Sequence, residues 1–175
     1  LASLASVERF ADSFRSGHDR LDLLINNAGV MIPPFGTTED GFDTQFGINV
    51  LGHWALVGRL LPIVEATPGA RIVTVSSTAQ HSGRAVDPDD PHMREKYSAW
   101  GMYGQTKLAM RHFAVGLQRR FDRLGVDARA LSAQPGFTNS DLQSTTHSLG
   151  GAGVAGASVD LAEPVTHQLP PGRIQ

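Results

Sequence analysis

Apolar residues recur at helical spacing in three segments of the chain, 1–16, 39–65 and 102–124. Ser3 or Ser6 is placed to cap the first of these helices, because a serine side chain accepts a hydrogen bond from a free N–H of the first turn. The three segments are therefore predicted to be amphipathic helices.

Polar residues mark the start of the helix predicted at 39–65. Thr37 or Thr38 is predicted to cap it. Glu39 and Asp40 lie in its first turn, where acidic side chains suit the positive end of the helix dipole. These signals place the first residue of the helix at about position 39.

Three short apolar runs lie between and after the helices and are predicted to be buried strands, at 21–26, 71–77 and 126–133. Helices and strands alternate along the chain, which predicts an α/β fold with a parallel sheet and helices on both of its faces. The polar stretch 78–100 is predicted to be a long loop with a helical turn near 93–97.

Composition narrows the function classes. The chain has 175 residues, of which 41% are hydrophobic and 18% charged, with a net charge of −2, so bulk charge argues against a nucleic-acid partner. The absence of cysteine excludes disulfides, thiolate zinc sites and cysteine nucleophiles. We find no apolar run of roughly 18 residues and no signal-peptide pattern, and therefore expect a cytoplasmic protein with no membrane span.

The sequence pattern changes after about residue 143. We expect residues 1–143 to form the folded domain and residues 144–175 to be an irregular tail rich in glycine and proline. Two interpretations of this tail stay open: a substrate loop of the same protein, or a shifted reading frame.

The strongest chemical signal is Tyr103-Gly-Gln-Thr-Lys107 in the third predicted helix. Residues four apart share a helix face, so the phenol and the ammonium can act together. A nearby cation favours the phenolate and lowers the pKa of the phenol, which gives a group suited to moving a proton on and off an alcohol oxygen. The alternative is an exposed helix pair with no role.

A further motif lies at or just after the carboxyl end of each predicted strand. In chain order these motifs are Asn26, Asn27, Ala28 and Gly29, then Ser76 and Ser77, then Pro135, Gly136 and Ser140. Because ligands of open α/β sheets bind outside the carboxyl ends of the strands, we expect these residues at one site. The two amides are predicted to tie neighbouring strand ends together. Each motif alone is equally typical of an ordinary turn.

Asn49 lies inside the helix predicted at 39–65. Asparagine is unfavourable there because its side chain competes for backbone hydrogen bonds. With Gly47 and Gly52 on either side, we predict a local kink that holds a water. An exposed polar residue is the alternative.

Taken together and in this order, the motifs resemble the short-chain dehydrogenases/reductases over residues 1 to about 143. The resemblance implies a partial Rossmann-like, doubly wound parallel sheet, in which this chain matches the family's fourth, fifth and sixth strands. It implies a catalytic set of Asn49, Ser77, Tyr103 and Lys107. It implies contacts to NAD or NADP from Asn27, Ala28, Gly29, Tyr103, Lys107, Pro135, Gly136 and Ser140.

The resemblance also implies a role for each catalytic residue. Tyr103 exchanges the alcohol proton, and Lys107 holds the ribose and lowers the pKa of the phenol. Ser77 steadies the reacting oxygen, and Asn49 positions a water. The long separation between Ser77 and Tyr103 is similar to the retinol-dehydrogenase-like branch, which implies a hydrophobic alcohol, aldehyde or ketone as substrate.

The chain departs from the family before residue 26. The Gly-rich turn that seats the cofactor pyrophosphate is not found there, nor is the residue that selects NAD or NADP. We therefore expect a fragment, whose strand 21–26 has a bare apolar edge. Such a chain is expected to be poorly soluble and to bind a dinucleotide weakly.

Two functions follow from these observations. The first is an NAD(P)-dependent oxidoreductase. The second is a truncated, non-catalytic remnant that keeps at most a dimerisation surface, which the resemblance places on helices 39–65 and 102–124. A metal enzyme is a weaker third hypothesis, because no two histidines form a close His-x-x-x-His pair, and His53 and His112 are predicted to lie on helix surfaces.

Overall fold

The structure, a computed structural model, describes residues 1–136. In chain order they form α1 (Leu4–Gly17), β1 (Leu23–Asn26), α2 (Thr44–Glu65), β2 (Ala70–Val75), a 3₁₀ turn (Thr78–His81), α3 (Ala99–Leu124) and β3 (Ala128–Ala133). The predicted α/β alternation is confirmed. Ser140 and the tail 144–175 lie outside the described residues.

The three strands form one parallel sheet in the order β1-β2-β3. In this register Leu24 lies beside Ile72, and Ile72 beside Ala130. Val57 and Val64 of α2 pack on this row together with residues of α3. We call this side of the sheet the covered face.

Helix α1 completes the same layer. Its Ala11 packs with Leu60 and Ile63 of α2, and Leu24 of β1 lies against that cluster. All three helices of the described residues therefore lie on the covered face.

The opposite side, which we call the open face, carries Leu23, Ile25, Val73 and Leu131. Leu23, Ile25 and Leu131 are 46%, 55% and 46% exposed. The prediction of helices on both faces is therefore wrong for residues 1–136. An apolar run indicates that a strand is suited to burial, but it does not show which segment buries it.

Helix α1 begins as predicted, with the Ser3 hydroxyl accepting a hydrogen bond from the Ser6 N–H at 3.4 Å. Helix α2 does not begin as predicted. Its cap is Asp43, whose carboxylate accepts from the Phe46 N–H at 2.9 Å. The helix therefore starts at Thr44 rather than near residue 39.

The residues predicted to cap and open α2 form a tight turn before it. Thr38 donates its N–H to the Phe42 carbonyl at 2.8 Å, and its hydroxyl accepts from the Phe42 N–H. Asp40 accepts from the Leu4 N–H at 2.9 Å and so reaches the start of α1. Thr38 and Asp40 therefore do accept backbone hydrogen bonds, but Thr38 does so within this turn and Asp40 at the start of α1.

The helical turn predicted near 93–97 is also wrong. Met93 has a φ of 52°, in the left-handed region, and the segment from there to α3 has no helical turn. The Asp90 carboxylate accepts from the N–H groups of Arg94 and Glu95 at 2.9 and 3.2 Å, so a side chain satisfies backbone donors there. Such local hydrogen bonds compete with helix formation.

Within residues 1–136, α2 is the one helix with the length and composition to cross a membrane, with a mean hydropathy of 1.3 over its best window. It is also a core helix, since Val57, Leu60 and Val64 are almost fully buried against α1 and the sheet. A core helix meets the same criterion as a membrane span, so this is weak evidence for a span.

Candidate active site at the carboxyl ends of the strands

The first turns of α3 are fastened to the carboxyl end of β2. The Ser76 hydroxyl donates to the Lys107 carbonyl at 2.9 Å, and the Lys107 ammonium donates to the Val75 carbonyl at 3.3 Å. Tyr103 lies one turn before Lys107 and is also buried. The Lys107 Nζ atom is 5.6 Å from the centroid of the Tyr103 ring. The predicted pair therefore shares one buried helix face.

Ser77 reaches the same place because the 3₁₀ turn after β2 packs closely on α3. A Cβ on Gly83 would overlap the Gly104 carbonyl, and a Cβ on Gly104 would lie 3.0 Å from the Ala79 carbonyl oxygen. Ala79 itself packs with Tyr103. The two glycines thus allow backbone-to-backbone contact beside Tyr103, and Ser77 faces the phenol.

The pKa of Tyr103 differs from the value that the sequence predicted. Burial raises the pKa of the phenol, and the Ser77 side chain opposes that shift only in part. Burial also lowers the pKa of the Lys107 ammonium. In the arrangement described, the pKa of Tyr103 is therefore raised, where the sequence predicted a lowered value, because loss of solvent is the larger of the two influences on the phenol.

Asn49 lies in an irregular part of α2, where Gly47–Leu51 form one turn of π-helix. The predicted kink is thus a π-bulge, a feature frequent at functional sites. The Asn49 side chain is buried; it accepts from the Val30 N–H at 2.8 Å and donates to the Val30 carbonyl at 2.9 Å. It also donates to the Thr106 hydroxyl of α3 at 3.3 Å. The side chain therefore holds the loop after β1, and its exposed alternative is wrong.

The turn Asn27-Ala28-Gly29 lies at the carboxyl end of β1, within reach of the same residues. A Cβ on Gly29 would lie 3.0 Å from Asn49 Oδ1 and 3.8 Å from Lys107 Nζ. Asn27 and Ala28 are exposed. Gly29 therefore brings bare backbone close to both side chains, which suits a flat ligand that packs against backbone.

The two amides of this turn do not tie strand ends together. Asn26 is buried, and neither its Oδ1 nor its Nδ2 has a hydrogen-bond partner among the described residues. Asn27 points to solvent instead. That part of the interpretation is wrong, and Asn26 is left as an unsatisfied buried amide beside Thr74.

Pro135 and Gly136 follow β3 on the same edge of the sheet and are exposed. The Gln134 side chain just before them accepts from Gln80 of the 3₁₀ turn at 2.9 Å. Gly136 has a φ of 72°, which favours glycine. These residues therefore lie on the same side of the sheet as Ser77, as expected.

Sequence reasoning missed two buried polar residues of the site. Thr106 accepts from Asn49 and donates its own hydroxyl to the Tyr103 carbonyl at 2.7 Å. His53, predicted to lie on a helix surface, is 3% exposed and its Nε2 lies 2.8 Å from the Ala28 carbonyl oxygen. The available signal for His53 was its position four residues after Asn49, on the same helix face.

Aromatic side chains lie beside Tyr103 on its solvent side. The Trp100 ring is 5.9 Å from the Tyr103 ring, and Trp100 is 44% exposed. Phe35 and Tyr97 stack edge to face at 4.9 Å. Gln45 links this pair to the start of α3, because its Nε2 donates to the Tyr97 hydroxyl at 3.4 Å and to the Ala99 carbonyl at 2.9 Å.

Within residues 1–136, no three histidine, aspartate or glutamate side chains are grouped in a way that could hold a metal ion.

The family model described as short chain dehydrogenase matches residues 1–148. Among curated proteins, the chain is 44% identical over 146 residues to a polyprenol dehydrogenase of Mus musculus, covering 81% of this chain and 43% of that protein. It is 43% identical over 143 residues to retinol dehydrogenase 13 of Homo sapiens, covering 81% of this chain and 42% of that protein. The chain thus spans less than half the length of these relatives.

Solved structures give the same picture. An uncharacterized protein from Mycobacterium paratuberculosis has a TM-score of 0.71 at 44% identity, over 83% of this chain and 51% of that one. A short chain dehydrogenase/reductase from Burkholderia phymatum has a TM-score of 0.62 at 22% identity, over 85% of this chain and 49% of that one. These similarities confirm the expected partial Rossmann-like fold.

Proposed function

Because the chain belongs to the short-chain dehydrogenase family, we propose that it carries the catalytic residues of an NAD(P)-dependent oxidoreductase that interconverts an alcohol and a carbonyl compound. One observation carries this proposal: Tyr103 and Lys107 lie one turn apart on a buried helix face, with Ser77 against the phenol. A buried phenol next to a hydroxyl donor and a cation is suited to general acid–base chemistry on an alcohol oxygen.

Each side chain of the proposed site has a role that follows from its position. Tyr103 exchanges a proton with the substrate oxygen, and Ser77 donates a hydrogen bond to the same oxygen. The raised pKa keeps the phenol protonated at neutral pH, which is the form that gives a proton to a carbonyl oxygen during reduction. Oxidation needs the phenolate, and the positive charge of Lys107 favours that form when both groups lie around a bound ligand.

The residues fit the nicotinamide and ribose portion of NAD or NADP. Gly29 leaves room for close approach to the backbone, and Lys107 lies within 3.8 Å of the space that a Cβ on Gly29 would fill. Asn27 and Ala28 line the exposed side of the same turn. When bound, the nicotinamide supplies the hydride acceptor or donor. Pro135, Gly136 and Ser140 are proposed to contact the same cofactor.

We propose an apolar substrate. Trp100 lies beside Tyr103, and the partly exposed pair Phe35 and Tyr97 is joined to the first turn of α3 through Gln45; we call these three side chains the aromatic rim, and aromatic side chains bind apolar groups well. Two relatives are named as dehydrogenases of polyprenol and of retinol, which are apolar alcohols. A hydrophobic alcohol, aldehyde or ketone therefore fits both the rim and the relatives.

The test is substitution of Tyr103 and Lys107 in the protein as its gene encodes it, assayed with retinol or a medium-chain alcohol and with NAD and NADP. Tyr103→Phe is expected to lower turnover by about 10²- to 10⁴-fold, the range of a lost general acid or base. The chain offers a matched control, because Lys96 is its one other lysine and is exposed. Lys107→Met should abolish most activity and Lys96→Met should leave it unchanged. Turnover that survives Tyr103→Phe would contradict the proposal.

A second candidate function, a dimerisation surface, rests on a separate observation. A groove of about 630 Å³ lies between α2 and α3, lined by Trp54, Val57, Phe113, Leu117 and neighbouring residues. Trp54 is 62% exposed, and Arg120 of α3 pairs with Glu65 of α2 at 3.0 Å beside the groove. Exposed apolar surface of this kind is typical of protein interfaces. We propose that a second copy of the chain covers it.

Sedimentation analysis of the purified protein tests this surface. Trp54→Glu is expected to convert a dimer to a monomer, because it places a charge in an apolar interface. Phe10→Glu is the matched control, since Phe10 is a similarly exposed aromatic residue on α1, outside the groove. A protein that dimerises but shows no turnover would favour the non-catalytic remnant; a monomer at every concentration would contradict the dimerisation surface.

A further inference from the structure

His53 holds the turn after β1 from the side of α2. It lies one helical turn after Asn49 and is buried. Its Nε2 lies 2.8 Å from the carbonyl oxygen of Ala28. A carbonyl oxygen accepts hydrogen bonds and does not donate them, so the proton of the imidazole must sit on Nε2.

The rest of the imidazole environment favours a neutral ring. Nδ1 is buried and has no hydrogen-bond partner among the described residues. Burial lowers the pKa of His53, the hydrogen bond to Ala28 opposes this, and the charge of Lys107 lowers it further. A neutral Nε2–H tautomer is therefore the form that fits this position.

Asn49, one helical turn before His53 in α2, also binds the loop after β1. Its side chain bonds both the N–H and the carbonyl of Val30, while His53 bonds the carbonyl of Ala28. Gly29 lies between these two anchors, against Lys107. Two side chains of α2 thus fix the peptide groups on both sides of Gly29, where an added Cβ would lie 3.8 Å from Lys107 Nζ.

We propose that His53 is a positioning residue for the cofactor-binding turn: its Nε2–H fixes the Ala28 peptide group and so sets the backbone surface that the dinucleotide contacts. This inference rests on the proposed function, which makes the turn a cofactor contact. It predicts a specific division of effects. Loss of the hydrogen bond weakens dinucleotide binding, while proton transfer at Tyr103, on another helix, keeps its rate.

Calorimetric titration with NAD and NADP, on the protein as its gene encodes it, measures this division. His53→Leu is expected to raise the dinucleotide Kd about tenfold, in line with the loss of one hydrogen bond. Turnover at saturating cofactor is expected to stay within about twofold. His53→Gln keeps an N–H donor of similar reach and should restore the Kd to within about threefold of the original. His112→Leu, at an exposed position on α3, is the matched control and should change neither value.

A second measurement needs no substitution. ¹⁵N NMR of the imidazole nitrogens is expected to show His53 as the neutral Nε2–H tautomer at pH 7. An Nδ1–H tautomer or a charged ring would overturn the inference.

The outcomes separate the two proposals. If the unaltered protein binds neither dinucleotide, the proposed function fails and this inference fails with it. If it binds one of them and His53→Leu leaves the Kd unchanged, only the role of His53 fails. Equal losses in the Leu and Gln variants would show that packing of the ring matters and the hydrogen bond does not.

Discussion

The two faces of the three-stranded sheet both carry branched apolar side chains, but they meet different surroundings. On the covered face, Ile72 is 1% exposed under α2 and α3. On the open face, Ile25 is 55% exposed, one strand away. Apart from Arg71 and Arg129, the open face of the described residues carries apolar side chains, but it has solvent in place of a second layer of helices.

Within residues 1–136, the proposed site lies on the covered side and at the strand ends next to it. Asn49, His53, Tyr103 and Lys107 all belong to helices of that layer. They reach the loops after β1 and β2 because those loops leave the sheet at its carboxyl end, where α2 and α3 cross it. The side chains of the proposed site in α2 and α3 are thus positioned by one layer of the fold.

The open face of the sheet exposes apolar side chains to solvent. Parallel sheets are normally buried on both faces, because their strands are apolar on both sides. A contiguous apolar surface formed by Leu23, Ile25, Val73 and Leu131 therefore calls for a further layer of polypeptide. We expect the stability of the described residues to depend strongly on one face and weakly on the other.

The first prediction compares two isoleucines on adjacent strands. In the 175-residue chain, Ile72→Ala is expected to lower the free energy of unfolding by about 2 to 4 kcal/mol, because it removes a buried side chain and leaves a cavity. Ile25→Ala removes the same atoms from an exposed site and is expected to cost less than about 1 kcal/mol. Urea unfolding followed by tryptophan fluorescence measures both, since Trp54 and Trp100 report on α2 and α3.

An equal loss of unfolding free energy in Ile72→Ala and Ile25→Ala would contradict the difference between the two faces, because it would mean that the open face is packed in solution. Repeating the Ile25→Ala measurement on the protein as its gene encodes it sharpens the result. If a further layer of that protein covers the face, the cost at Ile25 should rise towards that at Ile72.

The sequence predicted most of the fold because local patterns decide it. Helical spacing and short apolar runs located three helices and three strands, and their alternation predicted the parallel sheet. Tyr103 and Lys107 were recognisable because a helix brings residues four apart together whatever else surrounds it. These features depend on neighbours in the chain, which the sequence shows directly.

The predictions that were wrong depend on contacts between residues, or on burial, that the order of residues in the chain does not show. Thr38 and Asp43 are both good caps, and only the turn between them decides that Asp43 opens α2. His53 shares a helix face with Asn49, but its hydrogen bond to Ala28 depends on where the loop after β1 lies in space. The pKa of Tyr103 follows from the depth of its burial, which no motif encodes.

The second prediction uses the buried histidine as a measure of the covered side. Since the pKa of His53 is lowered in the folded chain, the unfolded chain binds its proton first as the pH falls through about 6.5. Stability is therefore expected to fall as the pH drops below that value, by at most about 1.4 kcal/mol per pH unit for one proton. Urea unfolding between pH 5 and 8 measures the slope.

The variant His53→Gln should flatten this slope, because the amide does not titrate. His112→Gln is the matched control, because His112 is exposed. A slope that is unchanged in the His53 variant would show that His53 takes up its proton as easily in the folded chain, and thus that the covered side is more open to water than the structure describes.

The third prediction concerns the smallest effect, on the open face itself. Ile25→Thr and Leu131→Thr each place a hydroxyl at an exposed strand position. Because threonine itself favours β-strands, the free energy of unfolding of the 175-residue chain should change by no more than about 0.5 kcal/mol. Solubility should rise, because both changes interrupt the apolar surface of the open face, one on β1 and one on β3. Light scattering against concentration measures this, with Val115→Thr on α3 as an exposed control. Solubility that is unchanged in both strand variants but improved by Val115→Thr would show that the helices, not the open face, cause association.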